Sequence, residues 1–291
     1  MREAAVVPDE AVAVAVSLDG VMVAMKDAKR AETRERSRQA GRRPKGPAGY
    51  QEAGCATLSF YDAEGERLNT VSLARMPEPK KATLKTMLSA EFSTVLRIRP
   101  DLHVVTVADG ARDNWRYLDG LAPEATAVVD FYHATEQLKA ALDARYGEND
   151  AKGRAQFQKL RQLLLDDPDG VEKVIRALDY QRKKFPRRTR IGEVLRYFRR
   201  NRHRMRYADI QARHLPIGSG IVEAACKTLV TQRLKRSGMR WRHAGGQAVL
   251  TLRALMQSSR FDQAWALLSN TYRQQIIVPD NVVAFPRKRA A

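Results

Sequence analysis

Three short apolar runs, each reaching an aspartate, do most to limit what this chain can become. VAVAVSLDG reaches Asp19-Gly20, HVVTVADG reaches Asp109-Gly110, and TAVVD stops at Asp130. Short runs of Val, Ala and Leu bounded by turn formers read as strands buried in a sheet. Between the first and second lie CATLSFYD and RLNTVSLARM, flanking the turn-rich Ala63-Glu64-Gly65-Glu66. That pattern predicts a β-hairpin. LKTMLSAEFSTVLRI carries Leu84, Leu88, Phe92 and Val95 at helical spacing. A further helix is expected between the second and third runs, around Trp115, Tyr117 and Leu118. A hairpin followed by strand–helix–strand units predicts an α/β fold with a mixed sheet covered by helices.

After Asp130 the pattern changes. Residues 131–206 read as almost wholly helical, with breaks near Gly147, Pro168-Asp169-Gly170 and Pro186. The end of this block, 182–206, is densely basic, with Glu193 alone opposing its lysines and arginines in sequence, and Phe185, Tyr197, Phe198 and Tyr207 interleaved. The loop HLPIGSG follows, then a helix from about residue 220, a last helical pattern over Ala248–Leu268, and a loose tail, NVVAFPRKRAA. Residues 27–49 lack periodicity and are rich in charge, Gly and Pro, so they read as a flexible basic loop. The expected organisation is a first part of the core at 1–133, including that loop. A helical, basic insertion at 134–206 follows, then closing helices at 207–291.

The chain is long enough, at 291 residues with 44% hydrophobic content, to bury a real core. Its 52 Lys and Arg against 33 Asp and Glu leave a net charge of +19, a field suited to a polyanion. Cys55 and Cys226 lack metal-type spacing, as do His103, His133, His203, His214 and His243. A zinc site and a disulfide scaffold are therefore not expected, and a reducing cytoplasm, on the nucleoid, suits the chain. AVAVAVSL is too short to span a bilayer and lacks signal-peptide flanks.

Each acid has an ordinary explanation. Asp-Gly is a strong turn signal at Asp19 and a common strand terminator at Asp109. Glu223 can pair with Lys227 one helical turn on. A capping box from Ser219 would need Glu at 222, where Val stands. Yet Glu223 lies among Ile221, Val222, Ala224 and Ala225, and a carboxylate buried there would need a partner or a metal.

VSLDGVMV, SFYDAEGERL, VTVADGARDNW, VVDFYHATEQL, GSGIVEAACKTLV and RLKRSGMRW together resemble the catalytic part of bacterial insertion-sequence DDE transposases of the Mutator-like class. The resemblance spans roughly residues 12 to 260. It implies a ribonuclease-H-like core, a mixed five-stranded sheet with a helical insertion before the third acid. It also implies that Asp19, Asp109 and Glu223 are the catalytic, metal-binding triad. Asp130 is a rival for the second acid. If the strands of Asp19, Asp109 and Asp130 lie side by side in that order, as the resemblance implies, strand spacing of about 4.8 Å puts Asp109 nearer to Asp19. Asp130 can instead N-cap the helix FYHATEQLKAAL. His133 resembles the histidine that follows the second acid in these enzymes, or simply packs beside the site. Members also carry a DNA-binding region ahead of the core that recognises element ends. Nothing of that kind precedes the first strand here, so the sequence reads as a catalytic fragment, a truncated reading frame, or a protein that recognises ends through its insertion.

Oxygen ligands favour Mg²⁺, with Mn²⁺ as a substitute. The expected partner is DNA, both transposon ends and target, acted on by a homo-oligomer without a membrane. Arg199, Arg200 and Arg202 in the insertion, and Lys227, Arg233, Lys235, Arg236, Arg240 and Arg242 after Glu223, are the expected DNA contacts. Trp241 either stacks on an unpaired base or packs into the core. The competing functions are a transposase-derived protein that binds DNA without cutting it, and another ribonuclease-H-like nuclease such as a resolvase.

Overall fold

The first strand does not turn at Asp19-Gly20. In the computed structural model, which describes residues 7–26, 28–43 and 49–274, β1 (Ala13–Ala24) runs straight through that pair. Its whole length is matched, antiparallel, by β2 (Tyr50–Tyr61), with Asp19 opposite Cys55 and Gly20 opposite Gly54. A continuous partner ladder and apolar residues on both sides outweigh the local turn preference. β2 pairs antiparallel with β3 (Arg67–Arg75), the expected hairpin. β4 (His103–Ala108) and β5 (Thr126–Val129) add in parallel on the other side of β1. The result is an α/β fold with one five-stranded mixed sheet, ordered β3-β2-β1-β4-β5 and flanked by helices.

The segment expected to be a basic loop holds a helix instead, α1 (Ala28–Gln39). It has no apolar stripe, so hydrophobic periodicity could not reveal it. Its sequence is nonetheless rich in helix formers, and exposed Glu32–Arg36 and Glu35–Arg38 pairs lie at helical spacing. α2 (Ala82–Ile98) buries Leu84, Leu88, Phe92 and Val95 as the periodicity predicts. A Cβ added to Gly54 would press on Leu84, so the even positions of β2 face α2. α3 (Arg112–Leu121) bridges β4 and β5.

The helical block comprises α4 (Phe131–Tyr146), α5 (Ala151–Asp166), α6 (Gly170–Lys184) and α7 (Thr189–Asn201). α4 packs on α5 and α7, and α6 on α5 and α7. Its buried side chains, including Leu138, Leu160, Val174, Leu195 and Phe198, belong to the same cluster as Val14, Leu58 and Val107 of the sheet. The block is thus an extension of one core. α8 (Tyr207–Gln211) anchors its return, with the buried Tyr207 hydroxyl donating to Val129 O at 2.8 Å.

α9 (Gly220–Ala225) continues through a π-helical stretch, Cys226–Thr231, into α10 (Gln232–Leu234). Val222, Cys226, Leu229 and Leu234 form a second cluster with Val23, Cys55 and Met76 on the sheet face opposite α2. The last helical pattern is broken in two, α11 (His243–Gln257) and α12 (Phe261–Gln274). At the break, Ser258 Oγ accepts from Ser72 N at 2.9 Å, and Ser259 takes φ 54°. Arg260 makes a bidentate pair with Glu91 of α2, at 2.8 and 3.0 Å, with both side chains largely buried. These tertiary bonds outweigh an uninterrupted helix. The tail NVVAFPRKRAA lies outside the described residues.

Breaking a buried ion pair leaves one charge uncompensated, so Arg260→Ala should lower the unfolding free energy by about 3–5 kcal/mol. Urea denaturation would read this as a shift of the midpoint. A change within error would mean that the junction is not held by this pair.

Candidate functional site

The parallel register of β1 and β4 aligns Ser17 with Val107. Carried two residues on, the same register brings Asp19, in the middle of β1, beside Asp109, just past the end of β4, about 4.8 Å apart along the sheet. Both side chains line one open cavity of about 530 Å³, together with Glu52, Glu78, Lys80, Lys81, Lys85, Asp113, Asn114, Arg116 and Tyr117. Asp109 is oriented by its own turn. Its Oδ1 accepts from Ala111 N and from Asn114 Nδ2, both at 3.1 Å. Its backbone carbonyl accepts from the Trp115 indole at 2.6 Å. The strand-terminator reading is therefore part of the truth, and the turn leaves the second carboxylate oxygen without a hydrogen-bond partner among the described residues.

Asp19 shares its sheet face with Cys55 and meets the closing helix. Cys226 Sγ donates to Asp19 Oδ2 at 3.6 Å. Hydrogen bonding with Cys55, then burial and the nearby Asp19, push the Cys226 thiol well above its ordinary value, so it remains a protonated donor. Glu223 sits one turn before Cys226 on the same helix, about 5–6 Å away between Cβ atoms. Its residue is exposed, with a side chain 49% accessible. The desolvation argument from its apolar neighbours is therefore incorrect: Val222 and Ala225 are buried, whereas Glu223 and Ala224 are exposed. Its Oε1 accepts from Ser219 Oγ at 3.1 Å and lies 3.8 Å from His133 Nε2, not against Lys227. His133 Nδ1 is 3.3 Å from Glu136. Among the described residues, no three His, Cys, Asp or Glu side chains stand close enough to enclose a metal ion. Asp19 and Asp109 share a cavity that Glu223 does not line, its carboxylate being turned toward His133 of α4.

Asp130 follows β5 and is completely buried. Its Oδ1 accepts from His133 N at 2.7 Å, capping α4, and its Oδ2 accepts from Ser219 N, the residue that opens α9. One carboxylate thus ties together the starts of the two helices that carry His133 and Glu223. Both its oxygens are spent on structure. α7 closes over the same corner. Tyr197 packs where a side chain on Gly110 would stand, and Arg200 donates to Gly110 O at 3.5 Å. The Tyr197 hydroxyl is buried without a partner, and burial first, then Asp109 and Asp130, raise its pKa.

The basic residues divide into two groups. Arg199 pairs with Asp179 at 2.7 Å and Arg202 with Glu172 at 3.8 Å, so α6 supplies carboxylates that sequence proximity hid. Glu193 is therefore not alone in opposing this run, as it seems to be in the sequence. By contrast, Lys227, Arg233, Lys235, Arg236, Arg240 and Arg242 are exposed and make no ion pair among the described residues. Trp241 is half-buried against the second cluster. Its backbone bridges Ala24 and Lys26 at the end of β1, and its indole donates to Leu234 O at 3.2 Å. Of its two readings, packing accounts for these contacts.

Sequence reasoning missed Glu52, whose side chain lies across Gly20, and the lysines of the cavity rim. Glu52 carried no local signal, because cross-strand pairing alone brings it near Asp19.

Replacing Asp130 by Ala would strand two amide donors. A stability loss of about 1–3 kcal/mol is expected, with Asp130→Asn recovering part of it because one acceptor oxygen remains. Chemical denaturation would read both, and a neutral Asp130→Ala would contradict the clamp. No family model matches the chain, and no curated protein is significantly similar to it.

Proposed function

We propose that the protein cuts DNA strands with divalent metal, as a ribonuclease-H-like DDE transposase core. The observation that carries the reading is the pair of carboxylates on two adjacent parallel strands, Asp19 within β1 and Asp109 just after β4. Asp19 and Asp109 line one open cavity, and Glu223 lies beside it on the helix that touches Asp19. The strand order β3-β2-β1-β4-β5, with the helical block between β5 and the Glu223 helix, agrees with that type of core.

The donor set suits Mg²⁺, which takes one or two carboxylates and completes its shell with waters and substrate phosphates. Metal ions bound here supply electrostatic stabilisation of the attacking and leaving oxygens of a phosphodiester. Asp19 and Asp109 are the residues that would hold them. Glu223, held in this structure by Ser219 and His133, would reach them only by a change of side-chain rotamer, which its exposed position allows. The unpaired cations after Glu223 hold the sugar–phosphate backbone. Transfer of the freed 3′ end to target DNA rests on the sequence resemblance to transposases.

A second reading draws on a specific observation. Glu223 engages Ser219 and His133 rather than facing the cavity, which favours a protein that binds DNA without cutting. Supercoiled plasmid incubated with Mn²⁺ separates the two. The proposal expects nicking that falls to background in Asp109→Ala. His133→Ala, which acts through Glu223, should cost about 10–100-fold. Salt-sensitive binding with no nicking by the wild-type protein would overturn the enzymatic reading. Joined products, as opposed to simple cuts, would set it apart from a resolvase.

A further inference from the structure

The charged groups around the cavity do not cancel evenly. Glu52 pairs with Lys81 at 3.2 Å. Glu78 accepts from Leu84 N at 2.7 Å and lies 4.0 Å from Arg75. Asp113 pairs with Arg116 at 3.1 Å. Setting these pairs aside leaves Asp19 within β1 and Asp109 just after β4, and Lys80 and Lys85 on the rim formed by the turn before α2 and the start of that helix. Neither lysine makes an ion pair among the described residues. Lys80 is exposed. Lys85 stands over the Tyr117 ring at 5.3 Å, and that ring is fixed by its hydroxyl, which donates to Lys85 O at 2.9 Å.

The backbone presents these lysines at a cost. Lys80 and Lys81 take φ 54° and 55°, two successive non-glycine residues in the left-handed region. Strain of this kind persists where surrounding structure enforces it, and it gathers at functional sites. Here Pro77 and Pro79 restrict the approach, and the Lys81–Glu52 pair fastens the turn to β2. The turn thereby projects Lys80 into the cavity mouth.

We propose that Lys80 and Lys85 form a phosphodiester-binding rim that guides one nucleic-acid strand across the cavity, its backbone held on the α2 side while Asp19 and Asp109 face the bond to be cut. The proposal rests on the DNA-cutting reading for its substrate class. It gives the cavity a basic wall on the α2 side, apart from the exposed cations that follow Glu223, of which Lys235, Arg236 and Arg240 border Ala24 and Met25. A nucleic-acid strand fits better than an isolated anion, because the two ammonium groups border an open cavity that continues to the carboxylates.

The test is fluorescence anisotropy with a labelled mixed-sequence oligonucleotide, as single strand and as duplex, in EDTA and across a salt series. Each lysine–phosphate interaction removed should reduce the slope of log affinity against log salt by ~1, so Lys80→Gln with Lys85→Gln should reduce it by ~2 in total. Affinity should fall about tenfold or more, with an unchanged Tm, and Lys80→Arg with Lys85→Arg should restore both values. An unchanged slope and affinity would overturn the rim. The two readings fail separately. A reduced slope with no Mn²⁺-dependent nicking by the wild-type protein keeps the rim and removes the cutting activity. Nicking with an unchanged slope does the reverse, and absence of any oligonucleotide binding by the wild-type protein overturns both.

Discussion

The parallel pairing of β1 with β4 is the constraint on which the rest of the structure depends. Register in a sheet is set by which residues share a buried face, and a slip of one residue would turn every side chain over. Val14, Val16, Val105 and Val107 are fully or almost fully buried, so a slip is costly. The alignment that buries them also carries Asp19, within β1, beside Asp109, just past the end of β4. The site is thus a by-product of core packing: loops orient Asp109, but the sheet decides which aspartates meet.

A second layer of organisation comes from Asp130. Its buried carboxylate caps α4 and holds the amide of Ser219, so the helical block and the Glu223 helix start from one point. Charge completes the arrangement. Many of the chain's arginines are matched by carboxylates on adjacent helices, as Arg199 is by Asp179 and Arg204 by Asp119. Among the cations without an ion pair in the described residues are those after Glu223 and, on the α2 rim, Lys80 and Lys85, which line the cavity of Asp19 and Asp109. A net charge of +19 therefore matters less than where the unpaired part of it lies.

Much of this was legible in the sequence because it rests on local signals. Apolar runs marked β1, β4 and β5, helical spacing marked α2, and proline and glycine marked the breaks within the helical block. Other features were hidden for identifiable reasons. α1 has no buried face, so periodicity could not mark it, whereas its exposed ion pairs follow helical spacing. The break between α11 and α12 depends on Ser258 meeting Ser72 and Arg260 meeting Glu91, contacts between residues far apart in the chain. Glu223 looked buried because its neighbours are apolar, but helical rotation buries Val222 and Ala225 and leaves Glu223 and Ala224 exposed. The Asp-Gly at residue 19 looked like a turn because local preference is read without its partner strand. In each case the missing information was tertiary.

The proposed activity requires Asp19 of β1 and Asp109 after β4 to form a divalent-cation site. Anomalous diffraction from crystals soaked in Mn²⁺ tests that requirement most directly. A peak within coordination distance of both Asp19 and Asp109 is the expected result. Well-diffracting soaked crystals with no peak there, or with manganese bound only at other carboxylates, would contradict it.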